Sequence, residues 1–159
     1  MEYLSTRGCT EKYSASLAVI KGLADDGGLF VPERIPRLEA SVKDLVGKSY
    51  KEIVFEVLKL YFTDYTEAEL KSCIDNAYDS KFDTELIAPL VKRGDQYFLE
   101  LFHGRTIAFK DMALSILPHL LTCALAKNNI KEKVIIMTAT SGDTGKAALE
   151  AFADVENTK

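Results

Sequence analysis

Apolar residues in the first half of the chain recur at the three- and four-residue spacing of amphipathic helices. Two capping boxes, Ser49 with Glu52 and Thr66 with Glu69, predict the starts of two of these helices. The second of them carries one continuous apolar face, which is formed by Leu70, Cys73, Ile74, Ala77 and Tyr78. We therefore predict an N-terminal helical subdomain over residues 1–80.

Shorter elements are predicted before these two helices. Residues 1–7 alternate weakly and predict an edge strand. Ser14 can cap a small helix, which ends at the glycine-containing turn of residues 25–28. Residues 29–31 are apolar and predict a brief buried segment that Pro32 ends.

The character of the sequence changes after residue 80. Residues 88–91 and 97–102 are rich in strand-forming residues, and Gly94 and Asp95 between them favour a turn. The pattern predicts two strands joined across this turn.

A long helix is predicted over residues 109–127, with a kink at Pro118 because proline lacks an amide hydrogen. The apolar run of residues 134–137 predicts a buried parallel strand, and an alanine-rich helix follows it. Strands and helices in alternation predict a right-handed βαβ unit. Residues 81–159 are therefore expected to begin an α/β domain built on a parallel sheet.

The composition is that of an ordinary globular protein and excludes several classes of function. With 47% hydrophobic and 28% charged residues among 159, the chain is neither a disordered tail nor a membrane bundle. A net charge of −4 without any basic run makes nucleic acid and anionic membranes poor partners. Cys9, Cys73 and Cys123 form no CxxC pair, so we expect a cytoplasmic protein without a metal site. We also expect no secretory leader and no membrane span.

A short polar segment follows the predicted buried strand and consists of Ser141, Gly142, Asp143, Thr144 and Gly145. Ligands of α/β proteins collect at this place, outside the carboxyl end of a strand. Glycines permit close approach of the backbone, hydroxyls can donate, and the next helix presents unpaired amides, so a carboxylate or a phosphate fits. The segment lacks the residues that a P-loop requires. The alternative is a plain strand-to-helix turn that Asp143 caps.

Lys110 interrupts an apolar stretch at the predicted start of the long helix. The residues three, four and seven positions further on are Ala113, Leu114 and Leu117, so Lys110 lies on an apolar flank. The helix dipole and the loss of solvent both disfavour a cation there and favour the neutral amine that a Schiff-base lysine needs. The alternative is a lysine whose amine extends past the helix edge into water, paired with Asp111.

Ordered motifs along nearly the whole chain carry a resemblance to a known family. They are STRG at residues 5–8, GLADDGGLFVP at 22–32, ELFHGRTIAFKD at 100–111 and TSGDTG at 140–145. This set resembles the threonine synthases, which are pyridoxal-phosphate enzymes of the tryptophan-synthase-β-like (type II) fold. The resemblance implies a three-layer, parallel-sheet cofactor domain, of which residues 81–159 are the incomplete first part.

The resemblance also implies an activity and a set of roles. The intact protein is expected to be a lyase that converts O-phospho-L-homoserine and water into L-threonine and phosphate. Lys110 is expected to bind pyridoxal phosphate as a Schiff base and to act as the catalytic residue. Residues 141–145 are expected to hold the carboxylate of this small-molecule substrate, with Asp143 near the cofactor's hydroxyl. Lys110 and these residues should face one cleft, and the oligomeric state is left undetermined.

Two features depart from the family's pattern. Arg105 stands where the family usually has proline, and we expect its side chain to face water rather than to bind an anion. The family's members are also much longer. The chain is therefore expected to be an N-terminal portion and, by itself, an inactive fragment.

Two other interpretations stay open. A relative that eliminates phosphate from phosphohomoserine without forming threonine would use the same Lys110. Alternatively, the chain as it stands is a folded fragment or an interaction module without enzymatic activity.

Overall fold

Six helices and two small antiparallel sheets make up the structure, a computed structural model that describes residues 1–159. None of the helices combines the length and the hydropathy that crossing a membrane requires. In chain order the elements are β1 (Tyr3–Ser5), α1 (Ala15–Lys21), β2 (Phe30–Pro32), a 3₁₀ turn (Val42–Leu45), α2 (Tyr50–Tyr61), α3 (Glu67–Ala77), β3 (Leu90–Arg93), β4 (Gln96–Leu99), α4 (Asp111–Leu114), α5 (Leu117–Lys127) and α6 (Asp143–Phe152).

Both sheets are two-stranded. The predicted edge strand is confirmed as β1, which pairs with β2 so that Leu4 lies opposite Val31. Val31 is 41% exposed, so the expectation of a buried segment there was wrong. The predicted hairpin is confirmed as β3 and β4, and Gly94 in its turn has a φ of +60°, which favours glycine.

Local capping sets the starts of the first three helices. The side chains of Ser49 and Thr66 accept the amides of Glu52 and Glu69, and each glutamate accepts the amide of its cap in return. Both predicted capping boxes are therefore confirmed. Ser14 caps α1, also as predicted.

The core lies between α1, α3 and α5. The predicted apolar face of α3 is confirmed, because all five of its residues are buried. The hydroxyl of Tyr65 closes this core by donating to the carbonyl of Leu120 over 3.0 Å. The division at residue 80 stays a prediction, although one cluster of buried residues draws on both sides of it: Ala15, Tyr65, Leu70, Cys73, Ile74, Ala77, Tyr78, Phe82, Ile87, Ile116, Leu120 and Ala124.

The predicted long helix is two helices, so the expectation of one kinked helix was wrong. α4 ends at Leu114, and α5 begins at Leu117. Pro118 lies in the first turn of α5, where a missing amide hydrogen costs nothing because no carbonyl of that helix awaits it. The proline thus lies at the start of a helix instead of bending one, and α4 is a separate helix whose axis need not follow that of α5.

The apolar run at residues 134–137 is not a buried strand, which corrects the second expectation. Ile135 is 69% exposed and Met137 is 89% exposed. The amides of Val134 and Ile136 donate to the carbonyls of Asn157 and Lys159, so this run has one parallel neighbour, which follows α6. The predicted βαβ unit is absent, because β4 pairs only with β3 and forms no parallel pair with residues 134–137.

We predict that Tyr65→Phe lowers the free energy of unfolding by about 1 kcal/mol, because it removes one buried hydrogen bond and leaves the ring in place. Urea denaturation measures the difference. Tyr97→Phe is the matched control: Tyr97 is 63% exposed and its hydroxyl has no partner, so its removal should change stability by less than about 0.5 kcal/mol. Equal effects of the two substitutions would contradict the role of Tyr65.

Candidate active site

Lys110 lies immediately before α4, in helical conformation. Its carbonyl accepts the amide of Leu114 over 2.9 Å, which fixes its backbone to the first turn of the helix. The side chain is half-buried, and its Nζ lies 4.8 Å from the centroid of the Phe109 ring. Lys110 belongs to no ion pair, so the pairing with Asp111 considered above does not form.

The segment of residues 141–145 is shorter as a loop than the sequence predicted. α6 begins at Asp143, so most of the segment is the first turn of a helix. Gly142 stands before it with a φ of +148°, and no side chain caps the helix. Asp143 is therefore a residue of the first turn and not its cap, which corrects the plain-turn alternative.

Several donors of this first turn are open. The amides of Asp143 and Thr144 donate to no acceptor of the protein. The side chains of Ser141 and Thr144 are exposed beside them. Together with the positive end of the α6 dipole, these groups can bind an anion such as a carboxylate.

Gly145 differs from its neighbours because its amide is already used. It donates to the hydroxyl of Thr140 over 2.9 Å. A Cβ at Gly145 would lie 2.7 Å from the same hydroxyl oxygen, so a larger residue would displace the Thr140 side chain. Gly145 thus holds the turn in shape, and the open donors lie before it.

α6 is tied to the segment that precedes Lys110. The Nζ of Lys146 donates to the carbonyl of Thr106 over 3.2 Å. Arg105 pairs with Glu150 over 2.9 Å and is largely exposed. These contacts bring the start of α6 beside the Lys110 segment, and Leu114 of α4 lines one cavity with Thr140 and Thr144. That Lys110 itself faces this cleft stays a prediction.

His103 lies between two carboxylates, an arrangement that the sequence analysis does not predict. Its two ring nitrogens lie 2.5 Å from the carboxylate of Asp83 and 3.0 Å from that of Glu100. The bond to Glu100, and then the bond to Asp83, raises the pKa of His103 above its usual range. The amide of Asp83 also donates to the carbonyl of His103 over 3.0 Å. The spacing of Glu100 and His103 hints at the first contact, whereas only the fold supplies Asp83.

The sequence of this chain is similar to the N-terminal part of threonine synthases and of a related protein. Residues 2–78 match the family described as "Threonine synthase N terminus". The chain is 41% identical to threonine synthase of Pseudomonas aeruginosa over 99% of its own length. It is 40% identical, over 94% of its length, to human threonine synthase-like 1.

Among solved structures, the chain is similar to a pyridoxal-phosphate-bound threonine synthase from Brucella melitensis. The TM-score is 0.89, the identity is 38%, and the match covers 100% of this chain. This likeness confirms the α/β fold class predicted from the sequence. The chain spans 34% of the Pseudomonas and Brucella proteins and 22% of the human one, which is about a third or less of the relatives that it matches.

We predict that the stability contributed by His103 depends on pH in one direction. Because folding raises its pKa, the contribution is complete below the unfolded value of about 6.5 and is lost as the pH rises through the folded value. The difference in unfolding free energy between wild type and His103→Gln should therefore shrink as the pH increases, as measured by urea denaturation at several pH values.

His119→Gln is the opposite-sign control for this series. Burial lowers the pKa of His119, so its contribution is lost as the pH falls instead. A His103 difference that stays constant or grows with pH would show that the two carboxylates do not hold a protonated ring.

Proposed function

Since this chain belongs to the threonine synthase family and corresponds to the N-terminal third of its members, we propose that it carries part of a pyridoxal-phosphate site. This part comprises the cofactor-binding lysine and the turn that binds the substrate's carboxylate. The intact protein would convert O-phospho-L-homoserine and water into L-threonine and phosphate. The observation that supports the proposal is that the segment leading to Lys110 is bonded through Thr106 to α6, a helix whose first amides are open.

The residues present fit pyridoxal phosphate at two points. Lys110 forms no ion pair with a carboxylate, so its amine is not already engaged by an acidic side chain and is open to a carbonyl compound. The open turn at Asp143 and Thr144 fits an anion. Lys110 would hold the cofactor through its amine, and Asp143 would lie near the cofactor's hydroxyl.

When it is bound, pyridoxal phosphate supplies an electron sink for a carbanion next to the substrate's amine. The chain's own residues bind, orient and move protons. The open amides and the hydroxyls of Ser141 and Thr144 would hold the substrate carboxylate against the start of α6. The amine of Lys110, once the substrate's amine has replaced it, would remove a proton from the substrate and return it later.

The overall reaction balances with these roles. Phosphate leaves from the γ carbon of O-phospho-L-homoserine, and this carbon gains a proton to become a methyl group. The β carbon loses one proton and gains the hydroxyl of water, and the remaining proton of water goes to phosphate. Lys110 would carry protons between carbon atoms, because the backbone amides and hydroxyls of the turn are poor proton carriers and Asp143 is assigned to the cofactor's hydroxyl.

We place the intact enzyme in the cytoplasm and its partner class among small molecules. Cys9, Cys73 and Cys123 are all free thiols, which suits a reducing compartment. The net charge of −4 does not favour nucleic acid. We also propose that the 159-residue chain alone does not turn over substrate, because it spans about a third of its relatives.

The phosphate-eliminating activity is kept as the alternative proposal. Human threonine synthase-like 1 is as similar to this chain as several threonine synthases are, yet its name sets it apart from them. An enzyme that eliminates phosphate without forming threonine would use Lys110 and the α6 turn in the same way. The two activities differ only in whether water adds to the β carbon.

We predict that pyridoxal phosphate followed by borohydride labels Lys110 in preference to the other lysines, and that Lys110→Arg abolishes this label. Peptide mass spectrometry locates the adduct. Lys92→Arg is the matched control, because the Nζ of Lys92 lies 5.5 Å from the Tyr97 ring and forms no ion pair, much like Lys110. A label spread evenly over the surface lysines, or one centred on Lys92, would contradict the assignment.

We predict that the chain with pyridoxal phosphate and O-phospho-L-homoserine releases no phosphate above the buffer rate. A chimaera in which it replaces the matching third of the Pseudomonas enzyme should release phosphate and threonine in equal amounts. The two products are measured by a phosphate assay and by chromatography. Phosphate without threonine would favour the eliminating enzyme, and activity that persists in a Lys110→Ala chimaera would exclude both proposals.

A further inference from the structure

We propose that Asp111 is a positioning residue for Lys110: its buried carboxylate closes the segment of residues 104–111 onto Thr106 and so fixes where the lysine amine stands. The inference rests on the proposed function in that Lys110 is taken to carry the cofactor. The lock itself is a property of the segment and can be measured without the cofactor.

The lock consists of two hydrogen bonds to one carboxylate. The amide of Thr106 donates to one oxygen of Asp111 over 2.8 Å, and the Thr106 hydroxyl donates to the other over 2.7 Å. Asp111 is 4% exposed and Thr106 is 6% exposed, so water does not compete for these bonds. Both carboxylate oxygens of Asp111 thus accept hydrogen bonds from Thr106, and neither forms an ion pair with Lys110.

Gly104 shows how closely the chain passes the carboxylate. A Cβ at this position would lie 2.5 Å from both Cβ and an oxygen of Asp111. No larger residue fits without moving the side chain of Asp111. The close packing of the Gly104 backbone against Asp111 therefore restricts where the carboxylate can lie.

Lys110 lies inside the closed segment. The turn at Ile107 has a φ of +61°, a conformation that costs free energy for a β-branched residue and needs surrounding contacts to persist. The amide of Ile107 donates to the carbonyl of Gly104 over 3.0 Å, and the amide of Asp111 donates to that of Ala108 over 3.0 Å. The backbone of Lys110 is thus held from the helix on one side and from the Thr106 lock on the other.

The same lock connects Lys110 to the substrate turn. The carbonyl of Thr106 accepts the Nζ of Lys146 over 3.2 Å, and Lys146 belongs to α6, whose first turn holds the open amides. Breaking the bonds between Thr106 and Asp111 would therefore let the distance between the Lys110 amine and the first turn of α6 vary more widely. A carboxylate suits this role because it accepts from two donors at once through charge-assisted bonds. An asparagine amide is uncharged and has one acceptor oxygen, so the Thr106 hydroxyl would have to reverse its role and accept from the NH₂ group.

The test compares Asp111→Asn and Thr106→Val with Thr106→Ser, which keeps the hydroxyl. Amide hydrogen exchange in residues 104–111 should be about tenfold faster in the first two variants, as one buried hydrogen bond is worth about that factor, and unchanged in α5. Pyridoxal phosphate and borohydride should label Lys110 less selectively in the same two variants, and Thr106→Ser should match wild type.

Asp44→Asn is the matched control, because Asp44 accepts the amide and the hydroxyl of Ser41 over 2.8 and 2.7 Å far along the chain from Lys110. It should leave the exchange of residues 104–111 and the Lys110 label unchanged. Faster exchange with an unchanged share of label at Lys110 would overturn the proposal and leave Asp111 a structural residue only. Unchanged exchange in both loosened variants would overturn it as well.

The wild-type label separates this inference from the proposed function. If wild-type Lys110 takes no label from pyridoxal phosphate, the lysine assignment fails in this chain, and acetylation by acetic anhydride then tests the lock. A Lys110 acetylation rate that rises in Asp111→Asn and in Thr106→Val supports the positioning role. Equal rates in wild type and variants would refute it.

Discussion

The burial of α5 in the core is the constraint on which the rest of the structure depends. Leu120 and Ala124 are enclosed between α1 and α3, and Tyr65 bonds to the carbonyl of Leu120. Because Pro118 lies in the first turn of α5, the chain before it forms the separate short helix α4, which packs against α6. The core therefore fixes α5, α5 fixes the approach of α4, and α4 carries Lys110 at its start.

The charged side chains around Lys110 and the first turn of α6 are paired with other groups, so they do not occupy the Lys110 amine or the open amides of α6. The nearby cations other than Lys110 have partners, since Arg105 pairs with Glu150 and Lys146 bonds to a carbonyl. The nearest carboxylate in sequence, Asp111, is fully engaged by Thr106. The amine of Lys110 is thus without an acidic partner, and the start of α6 is without a side-chain cap. The proposed zwitterionic substrate and carbonyl cofactor would require these two kinds of group.

Local signals were predictable from the sequence, and pairings between distant segments were not. The capping boxes at Ser49 and Thr66 and the hairpin turn at Gly94 involve residues a few positions apart, so they could be identified directly. The prediction of a buried strand at residues 134–137 was wrong because the one segment that hydrogen-bonds to this run lies after α6, far along the chain. In the proposed site, a motif suggests Lys110, and this assignment stays a prediction. The bonds between Thr106 and Asp111 and between His103 and Asp83 depend on side-chain placement, which the periodicity of the sequence does not contain.

The most direct measurement of the central claim is a crystal structure of the chain after pyridoxal phosphate has been attached by reduction. The proposed site predicts continuous density from the Nζ of Lys110 to the cofactor ring, with the ring on the side of α4 that faces the first turn of α6. Density on another lysine, or a ring directed away from Asp143 and Thr144, would contradict it.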